Sequence, residues 1–187
     1  SRLYTVTGST ADEALSQLTV QTGKQPVYSH NRLLLFSDEL AADAYSPDFF
    51  IRSIQPRAHV LVAAAEGSAA DVLLAGGDSL SARQMEESLL EGEKTAQTIA
   101  PRLYEYLNEK ADPMTAERLP VFSVMEDDEK KQAVPNGILL VGSEGQTVLL
   151  DQRESELLSM LSGSASICCG RSEGIFTELS KRPSTSW

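Results

Sequence analysis

The chain has 187 residues, with 27 acidic against 16 basic side chains, a net charge of −11 and a pI near 4.6. That field repels phosphate, which argues against nucleic acid as a partner and against electrostatic attraction to anionic membrane surfaces. A composition 41% hydrophobic and 23% charged is that of a folded domain rather than a disordered chain.

Leu3 to Thr7 alternates apolar and polar residues and predicts a short strand, broken by Gly8-Ser9-Thr10. Thr10 is placed to cap a helix from Ala11 to about Leu18, with Asp12 and Glu13 in its first turn. Val27-Tyr28 and Leu33 to Phe36 predict paired strands around residues 29–32. Ser37 or Asp38 caps a helix from Glu39 to Tyr45, and Asp48 to Ile51 forms a short element ended by Pro56. His59 to Ala65 is a buried strand, and Val72 to Ala75 reads as a second. Ser79 or Ser81 starts a helix to Leu90, with Ser81 and Gln84 spaced as a capping box and Gly92 as its stop. A further helix from about Glu93 to Lys110 carries Ile99, Leu103, Tyr106 and Leu107 on one stripe, with a kink at Pro101 or a start near Ala100.

Asp112-Pro113 marks a linker. Beyond it, Leu119 to Met125 is a strand, and residues 126–131 are a charged turn. Gly137 to Val141 and Thr147 to Leu150 form a hairpin around 142–145, and Asp151 caps a helix from Gln152 to Leu161. Ile167 to Cys169 predicts a last strand, Glu173 to Ser180 a last helix, and Lys181 to Trp187 a loose tail. The pattern predicts an α+β fold in two packed halves, 1–112 and 117–187, each a small, mainly antiparallel sheet with helices on one face. Val60, Val62, Leu139, Val141, Val148 and Leu150 are the expected sheet core.

The sequence displays no recognisable catalytic site. His59 belongs to a strand and His30 to a polar turn, and no serine stands in a Gly-x-Ser-x-Gly elbow. Adjacent Cys168 and Cys169 neither bridge readily nor close a zinc site, so their expected role is packing in a reducing compartment. No metal or other cofactor is called for: Asp127 to Lys131 fails the calcium-loop pattern, and Gly76-Gly77-Asp78 lacks the Lys-Ser/Thr of a phosphate loop. No apolar run reaches membrane-spanning length. No signal peptide is recognisable, although a start at Ser1 rather than Met is compatible with a removed leader.

The acidic clusters Glu86-Glu87 and Glu126-Asp127-Asp128-Glu129 are the candidate partner-binding residues, and they favour a protein with a basic surface. The expected function is therefore a non-enzymatic protein-binding module: an adaptor, a chaperone or an immunity-type partner. The alternatives are a small enzyme with a site assembled around His30, or a structural subunit of a larger assembly.

Three strings carry a family resemblance: Leu35-Phe36-Ser37-Asp38-Glu39-Leu40, Gly77 to Met85, and Val121 to Val124 with Glu126 to Glu129 and Asn136 to Gly142. Their order resembles the enhanced-serine-sensitivity (SseB-like) family of bacterial proteins over about two thirds of the chain. The start of the chain and its Ser-rich tail depart from that pattern. The resemblance implies a bacterial, cytoplasmic, non-enzymatic α/β module and transfers no catalytic residue.

Overall fold

A computed structural model describes residues 4–42, 59–75, 82–112, 114–127 and 130–161. Six α-helices and five strands lie among them: α1 Ala11–Thr22, β1 Leu33–Ser37, α2 Asp38–Ala42, β2 Leu61–Ala65, α3 Ala69–Ala75, α4 Ala82–Lys94, α5 Leu103–Ala111, β3 Glu117–Asp127, β4 Lys130–Val141, β5 Thr147–Leu150 and α6 Gln152–Leu161. The strands form one sheet in the order β1-β2-β3-β4-β5. β1, β2 and β3 are mutually parallel, while β3, β4 and β5 form an antiparallel meander.

The α+β class holds, but the arrangement in two halves is not confirmed. Strands from both sides of residues 112–117 share the one sheet, joined by Ala64↔Val121 and Ala65↔Phe122. The strands before residue 112 are parallel, because helices connect them and a helical crossover returns the chain in the same direction. β2 is Leu-Val-Ala-Ala-Ala and every residue is buried, as befits a central strand covered on both faces.

Helices cover both faces of the sheet rather than one. On the first face, Ala41 of α2 and Leu103 and Tyr106 of α5 pack against Phe36, Val62, Leu119, Val121 and Leu139. On the second, Val72 and Ala75 of α3 and Met85 and Leu89 of α4 pack against Leu61, Ala63, Phe122 and Ala133. Alternate positions of β1, β2 and β3 thus serve different helix pairs.

Several local expectations change. Residues 4–8 form no strand. Tyr28–His30 is a single 3-10 turn closed by the Asn31 amide on the Tyr28 carbonyl at 3.0 Å, so β1 pairs with β2 instead of with residues 27–28. Val72 to Ala75 is the end of a helix, not a strand. Ser68 caps it, accepting the Asp71 amide at 3.4 Å, and the run buries Val72 and Ala75 at helical spacing while exposing Leu73 and Leu74. α4 continues through Gly92, where a Cβ would lie 2.5 Å from Thr98 Cγ2; the glycine serves a close approach and does not stop the helix. The next helix starts only at Leu103, because residues 101–103 run beside β2: the Val62 amide donates to the Pro101 carbonyl at 3.0 Å and the Leu103 amide to that of Val60 at 2.8 Å.

Thr10 does cap α1, accepting the Glu13 amide at 3.2 Å, and Gly23 ends that helix at φ +65°. Asp151 caps α6 through a reciprocal box with Glu154, at 2.9 and 3.0 Å. Of the expected core, Val60, Val62, Leu139 and Val141 are buried, Leu150 is half-buried and Val148 is 55% exposed, because β5 is an edge strand. The elements expected at 43–51, the caps at Ser79 and Ser81, and the strand, helix, tail and cysteines of 162–187 lie outside the described residues.

Candidate functional site

Ligand sites in α/β sheets gather where parallel strands end. Here β1 ends into Asp38 and β2 into Glu66-Gly67-Ser68. Asp38 accepts the Gly67 amide at 3.2 Å with one oxygen and the Glu39 amide at 2.8 Å with the other, which ties the two strand ends together. Glu66 accepts a hydrogen bond from the Ser123 hydroxyl of β3, and Asn136 of β4 donates to that hydroxyl at 3.1 Å. A cleft of about 300 Å³ opens beside these groups, floored by Ala64, Val121, Leu139 and Leu149. Two carboxylates over an apolar floor suit a cationic or hydrogen-donating group better than an anion.

A second cleft, of about 520 Å³, lies between α3 and the β3–β4 hairpin and shares Glu66 with the first. The hairpin runs on to Asp127 and Lys130, well past Ala65 and Phe122, where β2 stops pairing. Its projecting part exposes Val124 and Met125. At the far end of the sheet, exposed Val148 and Leu149 of β5 adjoin α6, which presents Leu157, Met160 and Leu161 to solvent. Among the described residues, the meander thus has an unpaired strand edge and exposed apolar side chains at both extremities.

A third cleft, of about 340 Å³, lies along α5 and is dominated by ion pairs. Arg118 is held by Glu109, its Nε donating at 2.8 Å, and Arg102 lies 3.7 Å from both Glu93 and Glu105. Beneath it, Lys110 pairs with buried Glu117 at 3.0 Å and sits 5.8 Å from the Tyr106 ring centre. Burial, and then the Glu117 carboxylate, hold the Tyr106 phenol well above its ordinary pKa. These contacts fasten α5 to β3.

The sequence-predicted acidic residues do not form one cluster of free carboxylates. Glu86 reaches Arg32 at 2.6 Å, Glu87 pairs along α4 with Arg83 at 2.7 Å, and Glu126 pairs across the hairpin with Lys131 at 3.3 Å. Asp127 belongs to β3, and Asp128 and Glu129 lie outside the described residues. His30 is exposed on the 3-10 turn, and His59 is exposed before β2 with its ring edge-on to Tyr104 at 5.8 Å. Among the described residues, no three His, Cys, Asp or Glu side chains converge as a metal site would require. No described helix is long and apolar enough to cross a membrane. The sequence reading missed Asp38, Glu66, Ser123 and Asn136, whose common position depends on three strands meeting.

Comparison with known proteins gives the chain a family. Residues 1–124 match the family described as the spore germination protein N-terminal domain (GerAC type). Among solved structures, the crystal structure of the GerBC protein matches with a TM-score of 0.51 and 20% sequence identity. That match covers 81% of this chain and 43% of the GerBC chain, so this chain corresponds to less than half of that protein. No curated protein sequence matches the chain.

These findings overturn the resemblance to the enhanced-serine-sensitivity (SseB-like) family. Its strings were generic strand-turn-helix segments: Leu35 to Leu40 is a parallel strand running into a helix, and Gly77 to Met85 lies partly outside the described residues. The cytoplasmic location inferred with that family falls too, as does the reading as a general adaptor, chaperone or immunity-type partner, because the matched family and structure are those of spore germination proteins. With two thirds of its length inside the match, the chain belongs to the spore germination protein N-terminal domain family.

Proposed function

We propose that this chain is a domain of a membrane-associated subunit of a spore germination receptor, and that it works by holding other proteins of that assembly. The family match over residues 1–124 is the observation that carries this reading. The fold likeness to the GerBC protein supports it. So do the strand edges left unpaired among the described residues and the exposed apolar side chains at β3 and β5, which are of the kind that protein partners cover. The net charge of −11 and the acidic run Glu126 to Glu129 in the sequence favour a basic surface on the partner.

The test is fractionation of spores that carry an epitope-tagged copy of the full-length protein, followed by capture of the tag from detergent-solubilised membranes. The reading expects the tag in the membrane fraction, with other germination proteins captured beside it. Recovery wholly in the soluble fraction, without such proteins, contradicts it.

A further inference from the structure

Among the described residues, the β3–β4 hairpin has one strand edge with no partner, at a place where a cleft adjoins it. β2 pairs with β3 only at Ala64↔Val121 and Ala65↔Phe122, and the last bond is the Glu66 amide on the Phe122 carbonyl at 2.9 Å. β3 continues to Asp127, paired regularly with β4 from Phe122↔Pro135 to Asp127↔Lys130. Phe122 turns its backbone polar groups toward β2, so the two-residue alternation of a strand turns those of Val124 and Glu126 the same way. Among the described residues, no strand pairs with them there.

Proline and lysine, which often protect such an edge, are missing from Ser123 to Asp127, and its charges are confined to Glu126 and Asp127 at the far end. Val124 and Met125 are exposed. The cleft of about 520 Å³ lies beside this edge, lined by Leu74, Ala75 and Val124 as its apolar part and by Glu66, Asp71 and Lys131 as its charged part. Lys131 already pairs with Glu126 at 3.3 Å, so the surplus charge of the cleft is negative.

We infer that the β3 edge at Val124 to Glu126, with the α3 cleft beside it, receives an extended segment of a partner protein by strand addition. That segment carries a lysine or arginine next to an aliphatic side chain. Backbone bonds to Val124 and Glu126 supply the common part of the affinity, and the cleft supplies selection. The aliphatic group lies on Leu74 and Val124, and the cation faces Asp71 and Glu66. This deepens the receptor-subunit reading and rests on it for the existence of a partner.

The probe is a random decapeptide library displayed on phage and selected against the whole protein. The expected peptides carry Lys or Arg beside aliphatic residues and bind with micromolar Kd. They protect the amides of Val124 and Glu126 from exchange. Glu126→Pro removes an edge amide and is expected to weaken them by about tenfold or more. Asp71→Asn keeps the edge and is expected to lower the preference for basic peptides. If Glu126→Pro does not fold by circular dichroism, methylating alternate amides of a selected peptide makes the same cut from the other side, with the same loss expected.

Selection of no peptide, of acidic peptides, or of peptides indifferent to both backbone cuts overturns the inference, as does protection at residues 147–150 instead. Such a result with capture from spore membranes intact overturns strand addition alone. Failure of that capture by the unaltered protein overturns the receptor reading instead.

Discussion

Phe122→Ala tests whether the join between the parallel and antiparallel parts of the sheet is the keystone of the fold. Phe122 is fully buried, pairs with Ala65 on one side and Pro135 on the other, and fills the second-face core with Val72, Met85 and Leu89. Removing a buried phenyl ring loses its transfer free energy and leaves a cavity, together about 3–5 kcal/mol. Domains of this size are stable by about 5–15 kcal/mol, so the loss takes a large share of the total. At about 2–4 °C per kcal/mol, the thermal midpoint is expected to fall by roughly 6–20 °C. Val124→Ala is the control, because its side chain lies two positions further on the same strand and is partly exposed. It should cost less than about 1 kcal/mol. Urea unfolding followed by circular dichroism measures both. A change under about 1 kcal/mol for Phe122→Ala, with the slope unchanged, would refute this placement of the core.

Three further perturbations probe other parts of the fold. Gly137 has φ +93°, and a Cβ there would lie 2.2 Å from the Leu150 carbonyl oxygen, so Gly137→Ala should destabilise by more than about 2 kcal/mol and speed amide exchange in β5. Asp151→Ala removes the cap on α6 and should cost about 0.5–2 kcal/mol in the same urea assay. The raised pKa of Tyr106 makes its neutral form a stabiliser: that contribution is complete below about pH 10, the ordinary tyrosine value, and is lost as pH rises toward the folded-state pKa. Tyr106→Phe should therefore lose less stability than the unaltered protein between about pH 9 and 11, and equal slopes would contradict the burial argument.

Signals contained within one segment were legible in the sequence. The continuous apolar run of β2, the β4–β5 hairpin, the Thr10 and Asp151 caps and the Leu103 and Tyr106 part of the α5 stripe all depend on near neighbours, and all are present. Most of what failed depended on distant partners, apart from one local misreading. Val72 to Ala75 is too short for periodicity to separate strand from helix, and the Ser68 cap decides it. β1 was assigned to a hairpin because a close partner was available, whereas its real partner lies about thirty residues on, through Leu33↔Leu61. The acidic residues were visible, but their neutralising partners were not: Arg32 is far from Glu86 in sequence. The projecting hairpin was equally hidden, since it exists only because β3 and β4 are longer than the strands beside them.

The most direct test of the receptor-subunit account is the germination rate of spores in which the full-length protein carries a deletion of this domain, followed as the fall in optical density after germinant is added. The account predicts markedly slowed germination, restored by the unaltered protein, with the other receptor proteins still present at normal levels in the spore membrane. Germination at the unaltered rate from spores confirmed to lack the domain would contradict it.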